Sequence, residues 1–348
     1  MPDLVPATLL TDLCALIDAG RQRAAVAVNS ELVQLYWHIG QRIRREVLAD
    51  ERAEYGARLV ARLAERLEAE YGPGFSKRNL HYMVRAAEVF DADEIVHAAR
   101  SQLSWTHIRE LSAIDDALER RFYVEMCRVE RWSTRTLREK VNGMLYARTA
   151  LARRPEAIVS EALDGLQAED RMTPDLVFRD PYVLDFLRLS GDYAEADLEA
   201  AILRHIEQVI MELGSGFTFV ARQKRMPIGP VDYYLDLLFF HRRLRALVAV
   251  ELKIGRFDAR DKGQLELYLR WLDKHERQPG ENPPLGLILC AEKNAEEIEL
   301  LELHQGSIRV AEYLTELPPR DVLERKLHAA IELARSRALA LGHAPDET

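Results

Sequence analysis

Apolar positions change their spacing near the middle of the chain, and the change divides it. From residue 7 to about residue 150 they recur every three to four positions, as in Leu9, Leu13, Leu16 and Ile17 and again in Leu32, Leu35 and Ile39, the period of helices with one buried face. Ser30, Ser76, Ser104 and Ser133 each precede such a pattern and are placed to cap a helix, and Gly72-Pro73-Gly74 breaks the pattern after a charged helix at Arg52–Tyr71. Trp37, Trp105 and Trp132 sit among leucines and isoleucines and are expected as core anchors. Residues 151–195 hold only short apolar runs punctuated by Pro155, Pro174 and Pro181, which suits a connecting segment. Beyond it, Leu198, Ile202, Ile206, Val209 and Leu213 form one stripe of a helix at Asp197–Leu213, ended by Gly214-Ser215-Gly216. Strands then follow at Phe217–Gln223, Tyr233–Phe240 and Leu247–Leu252, a helix at Asp258–Lys274, a strand at Pro284–Cys290, a helix at Ala295–Leu303, a strand at Ile308–Tyr313 and a last helix from near Pro319. The expectation is a two-domain α+β chain: an all-α domain at 7–150, a connection at 151–195, and an α/β domain with a mixed central sheet at 196–342.

The stretch Asp232–Lys253 carries the chemistry. Two apolar runs separated by His241-Arg242-Arg243 are too close for a crossover helix, so they form an antiparallel hairpin. With the turn centred on Arg242-Arg243, Asp236 pairs with Ala249, and Asp236 and Glu251 become diagonal neighbours on one face, roughly 7–8 Å apart. Lys253 points to the same face about 6.6 Å further along. Two carboxylates and an ammonium inside otherwise apolar strands are costly to bury without a purpose. The pattern suits hydrolysis of a phosphodiester: Asp236 and Glu251 hold Mg²⁺, with Mn²⁺ as the alternative ion, and Lys253 orients water or offsets developing negative charge. An E-x-K tripeptide alone is common and reads as a solvated strand end; its apolar surroundings shift the balance towards a site.

Other groups could meet nucleic acid. Arg222-Gln223 at the end of the first strand is placed for a phosphate or a metal-bound water, and Arg242 and Arg243 at the bend offer phosphate neutralisation. Lys77 and Arg78 open a short helix in the N-terminal half, where basic groups beside a helix N-terminus suit a phosphate. Solvated turns and caps are the plain alternative for each. The net charge of −9 argues against indiscriminate binding to nucleic acid, but residues 1–150 hold 22 basic and 22 acidic side chains, so the acidic excess lies wholly in the C-terminal half. Three isolated cysteines, Cys14, Cys127 and Cys290, argue against a disulfide framework or structural zinc. With no apolar run of membrane-spanning length and no signal pattern, a cytoplasmic protein without membrane contact is expected.

Asp236 followed by Glu251-Leu252-Lys253 resembles the signature of the PD-(D/E)XK nuclease superfamily, with Leu235 where the superfamily's name implies proline. Arg222-Gln223, the run YLDLLFFHRRLRALVAVELK and GQLELYLRWL resemble more specifically the bacterial YhcG-type proteins, as do GFSKRNL at Gly74–Leu80, LSWTHIREL at Leu103–Leu111 and WSTRTL at Trp132–Leu137. The resemblance implies a restriction-endonuclease-like C-terminal domain behind a helical domain of unknown function, cleavage of nucleic acid, DNA before RNA, and work in restriction, defence or DNA processing. A homodimer fits enzymes that cut both strands. The superfamily often adds a metal-proximal glutamate from the first helix: resemblance favours Glu199, chain distance to Gly216 favours Glu207. Gln264 and Tyr268, one helical turn apart, resemble the superfamily's glutamine-tyrosine pair that supports backbone placement. The rival reading is a scaffold that binds nucleic acid on a retained nuclease fold without turnover.

Overall fold

A computed structural model describes residues 7–48, 53–149, 151–189, 193–214, 216–303, 306–316 and 318–340. Ser215 of the expected helix stop, Arg52 at the start of the charged helix and residues 341–342 of the expected C-terminal domain lie outside them. The chain divides into two compact units after Gly143.

The first unit is helical: α1 (Ala7–Leu48), α2 (Ala53–Tyr71), α3 (Lys77–Val89), α4 (Ala92–Arg100), α5 (Trp105–Leu111), α6 (Ala117–Glu130) and α7 (Thr134–Asn142). Helix α1 runs straight through Ser30, where the sequence suggested a start; Ser30 Oγ instead accepts a bond from Gln34 Nε2, one turn on. Ser133 does cap, its Oγ accepting the Thr136 N–H at 3.1 Å, whereas Ser76 makes no side-chain cap bond. Trp37 and Trp105 are buried, their indole N–H groups donating to the Phe90 carbonyl and to Asn79 Oδ1.

Helices α1 and α3 approach closely at Gly40, where a Cβ would lie 1.9 Å from the Met83 carbonyl oxygen. Helix propensity alone makes Gly40→Ala stabilising by about 1 kcal/mol. The backbone collision reverses the sign: the variant should lose about 1–3 kcal/mol and melt several degrees lower by circular dichroism. An unchanged or higher melting temperature would mean that the two helices separate at no cost.

The second unit comprises α8 (Leu145–Arg148), α9 (Glu156–Glu169), α10 (Pro174–Val177), β1 (Tyr182–Val183), α11 (Glu195–Arg204), α12 (Ile206–Leu213), β2 (Phe217–Ile228), β3 (Val231–His241), β4 (Ala246–Arg256), α13 (Ala259–His275), β5 (Leu285–Glu292), α14 (Ala295–Leu300), β6 (Ile308–Leu314) and α15 (Arg320–Ala340). The strands form one mixed sheet in the order β1-β6-β5-β4-β3-β2, antiparallel from β2 to β4 and parallel from β4 through β5 and β6 to β1. One face is covered by α11 and α12 through Leu198, Ile202, Val209 and Leu213, the other by α13 through Leu265, Tyr268, Leu269 and Leu272. This is the expected restriction-endonuclease-like α/β domain. The helix expected at Asp197–Leu213 is two helices, broken at His205, whose Nδ1 pairs with Gln208 Oε1 at 2.9 Å.

Residues 151–195 do more than connect. Val177, Phe178, Tyr182, Leu184 and Leu187 are buried in the core beneath α11 and α12, and β1 extends the sheet beside β6. Buried Arg179 meets Glu212, which also takes Arg148 from α8, and Asp180 takes Lys293, so the segment is fastened by ion pairs as well as by apolar contact. No helix among the described residues is long and apolar enough to cross a membrane.

The β3–β4 turn also differs from expectation. The strands end at His241 and resume at Ala246, leaving four turn residues, with Arg245 in the left-handed region at φ 48°. The cause is Leu244: its side chain is buried, its N–H donates to His241 Nδ1 at 3.1 Å, and its carbonyl accepts Asn282 Nδ2. A ring nitrogen that accepts a bond cannot also hold a proton, and burial followed by the nearby Arg243 charge pushes the His241 pKa down to about 4. An unfolded histidine takes up its proton near pH 6.5, so stability present above that pH is lost as pH falls from about 6.5 to about 4. Urea unfolding of the wild type at pH 7 and pH 5, set against His241→Gln, should show the wild type losing more on acidification, at most about 1.4 kcal/mol per pH unit. Equal losses in the two proteins would remove His241 from the account.

Candidate active site

The longer turn moves the register by two residues. Leu238, not Asp236, pairs with Ala249, and the last β3–β4 pair is Leu237 with Val250, a register that, continued by one residue, brings Asp236 across from Glu251 instead of onto a diagonal. A two-residue shift preserves the side to which each strand's alternation points. On the other flank of β3, the pairs Arg222–Leu237 and Lys224–Leu235 bracket Gln223 opposite Asp236. Gln223, Asp236 and Glu251 therefore stand in one row across β2, β3 and β4.

The sheet is irregular at this row. Leu235 packs under α13 while Leu237 packs under α11 and α12, although strict alternation would put both on one face. The strand thus rotates at Asp236, and the β3–β4 ladder stops at Leu237–Val250, one residue short of it. The Leu252 N–H, freed from the ladder, donates to Asp236 Oδ2 at 2.9 Å. Gln223, at φ 42°, donates through Nε2 to Asp236 Oδ1 at 3.0 Å and to Glu199 Oε2 at 2.9 Å, tying the α11 glutamate to the β3 aspartate.

Glu251 is 3% exposed, and its Oε1 has no hydrogen-bond partner among the described residues. Its Oε2 lies 3.7 Å from Lys253 Nζ, longer than a direct hydrogen bond. Burial first, and the Asp236 charge second, push the Glu251 pKa up to about 8, with Lys253 opposing. Tyr268 is buried on α13, receives Gln264 Nε2 on its hydroxyl at 2.7 Å and meets Tyr233 edge-on at 6.0 Å; burial and then the Glu251 charge raise its pKa.

The structure thus gathers Asp236, Glu251, Lys253, Gln223 and Glu199, with Gln264 and Tyr268 behind them. Glu207 lies exposed on α12, away from this network. Arg222 is exposed beside it, while Arg242 and Arg243 lie in the hairpin turn, roughly 20 Å along the strand from Asp236. Lys77 and Arg78 belong to the first unit, where Arg78 bonds the Tyr82 hydroxyl and Arg109 stacks on the Tyr82 ring at 4.2 Å. Sequence reasoning missed Glu195, whose charge adds to the rise in the Glu251 pKa, and the Leu252 amide, which no side-chain pattern reveals.

Among the described residues no three His, Cys, Asp or Glu side chains stand close enough to share a metal ion as they lie, because Gln223 separates Glu199 from Asp236. Asp236 and Glu251 by themselves fit one. A buried carboxyl with an orphaned oxygen, raised by burial and by a second carboxylate, is only partly compensated by Lys253, and a hard divalent cation with oxygen ligands would supply the rest.

A mixed sheet flanked by helices, with Asp, Glu and Lys at the splayed end of a hairpin, defines a nuclease domain of the PD-(D/E)XK class. Residues 175–328 match the family described as the YhcG PDDEXK nuclease domain, and residues 12–148 match the DUF1016 N-terminal domain. The chain is 35% identical over 355 residues to the Escherichia coli (strain K12) protein named "Putative nuclease YhcG", covering 93% of this chain and 92% of that one. It belongs to the YhcG family. Two solved structures are also similar: a repair endonuclease from Pyrococcus abyssi, at 22% identity over 37% of this chain and 50% of that one with a TM-score of 0.26, and an EndoMS–dsDNA complex, at 23% identity over 38% and 47% with a TM-score of 0.27. The chain spans about half the length of each, and likeness at this level says nothing of what this chain acts on.

Proposed function

We propose that this chain is a divalent-metal-dependent endonuclease acting on DNA, with Mg²⁺ as the expected ion and Mn²⁺ as a substitute, serving in restriction, defence or DNA processing. The supporting observation is Glu251: a buried carboxyl with one unpartnered oxygen, across from Asp236 and two residues from Lys253. Asp236 and Glu251 would hold the cation, which when bound polarises a phosphoryl oxygen and lowers the pKa of water. Asp236 is oriented before substrate arrives, Oδ2 by the Leu252 amide and Oδ1 by Gln223. Lys253, itself a fifth exposed, is placed to donate to the scissile phosphate or to the attacking water and to offset the charge that develops there. Glu199 would be a further ligand once Gln223 releases it, and Tyr268 lies near enough for the Glu251 charge to raise its pKa. The choice of DNA over RNA rests on the family resemblance. The helical unit, α1 to α7, would engage substrate or partner.

The deciding experiment incubates the full chain with linear, supercoiled, branched and single-stranded DNA and with RNA, each with Mg²⁺, Mn²⁺ or EDTA. Nicking of closed circular DNA with metal and none with EDTA is expected. Cleavage that proceeds equally in EDTA, or that Asp236→Ala leaves intact, would sink the proposal; metal-dependent cleavage confined to RNA would overturn the substrate.

A further inference from the structure

We infer that the N-terminal half of α1 is a dimerisation helix that pairs antiparallel with the same segment of a second copy of this chain. From Asp12 to Val28 no side chain of α1 is buried; burial begins at Val33. Yet this stretch carries Leu13, Leu16, Ile17 and Val28 at 47, 68, 53 and 68% exposure. Helices in proteins owe most of their stability to packing of an apolar face, so such a ridge needs a cover.

Volume and charge say what the cover is. Leu13, Ile17, Gly20, Ala24 and Ala27 follow the 4-3-4-3 spacing of a two-helix seam. With a two-fold axis between Asp18 and Ala19, Leu13 of one copy meets Ala24 of the other and Ile17 meets Gly20, large against small at each layer. A parallel pair would set Leu13 on Leu13 and Gly20 on Gly20, crowding one end and leaving the other hollow. On a helix of 3.6 residues per turn, Asp12 and Arg23 lie about 100° and 80° from the seam's centre on one side, Arg21 and Asp18 about 80° and 140° on the other. An antiparallel pair brings each flank against its own counterpart, so acid faces base on both sides, whereas a parallel pair stacks acid on acid. None of these four side chains has an ion-pair partner among the described residues. Complementarity of the segment to its own reverse points to a second copy and not to an unrelated protein.

The test is independent of nuclease activity. Sedimentation velocity of the full chain over about 1–100 µM should give twice the monomer mass, and Ile17→Glu should give the monomer. Near-ultraviolet circular dichroism of the buried Trp37 and Trp105 checks that the unit stays folded, since Ile17 is exposed. Asp12→Arg with Asp18→Arg should weaken the dimer about tenfold through four lost pairs. Adding Arg21→Asp and Arg23→Asp to that variant should restore it, because the reversed pattern is again self-complementary. A wild-type monomer at 100 µM, a dimer indifferent to Ile17→Glu, or a fourfold charge reversal no tighter than the twofold one would each overturn the inference.

Discussion

Replacing Lys253 with methionine should lower metal-dependent cleavage by about 10²–10³ while leaving the melting temperature nearly unchanged. The ammonium is partly exposed and stands 3.7 Å from Glu251, so it contributes little to folding as a salt bridge. On the proposed reading its value lies in the reaction, where charge builds on the phosphoryl group beside a carboxyl that is only 3% exposed. Methionine keeps the stem and removes the charge. Lys253→Arg tests the geometry: the guanidinium retains the charge but is broader and planar, so recovery of more than a small part of the rate would show that charge alone suffices. A Lys253→Met protein as active as the wild type would remove Lys253 from the catalytic set.

Glu251 carries the second large effect, and it runs in opposite directions for stability and activity. Its folded pKa, near 8, lies above the 4.5 of an ordinary glutamate, so the folded protein holds a proton that the unfolded chain has released. Stability in EDTA is therefore full below about pH 4.5 and is lost as pH rises to about 8, at most about 1.4 kcal/mol per pH unit. Mg²⁺ should restore the loss at high pH, because a bound cation replaces the proton as counter-charge. Glu251→Gln, uncharged at every pH, should melt higher than the wild type in EDTA at pH 8, show no stabilisation by Mg²⁺, and cleave at least about 10² more slowly. Thermal melts of both proteins at pH 5 and pH 8, with and without Mg²⁺, check this. A wild type that gains stability between pH 5 and pH 8 in EDTA, once the His241 contribution is subtracted, would contradict the buried, compressed carboxyl pair.

Much of the fold was legible because local patterns and tertiary packing agree. Leu198, Ile202, Val209 and Leu213 keep helical spacing and are buried together, and the apolar runs around Phe239 and Val250 become central strands. What failed was short or depended on contacts distant in sequence. Strand β1 has two residues, fewer than any period can reveal, and exists because Tyr182 and Val183 find an open edge at β6. The turn after His241 looked two residues long because nothing local announces that Leu244 is buried and gives its amide to His241.

By itself the sequence determined which residues are available: an Asp, a Glu and a Lys at a spacing that one hairpin can gather, a helical half with neutral charge, and a family signature read from consecutive side chains. Tertiary structure alone decided how they meet. It opposed Asp236 to Glu251, turned Asp236 onto the Leu252 amide, inserted Gln223 between Asp236 and Glu199, and left Glu207 in solvent. The physical reason is that composition and periodicity depend on neighbours along one strand or helix, whereas register, strand rotation and the burial that lifts the Glu251 pKa depend on the strands and helices packed beside it.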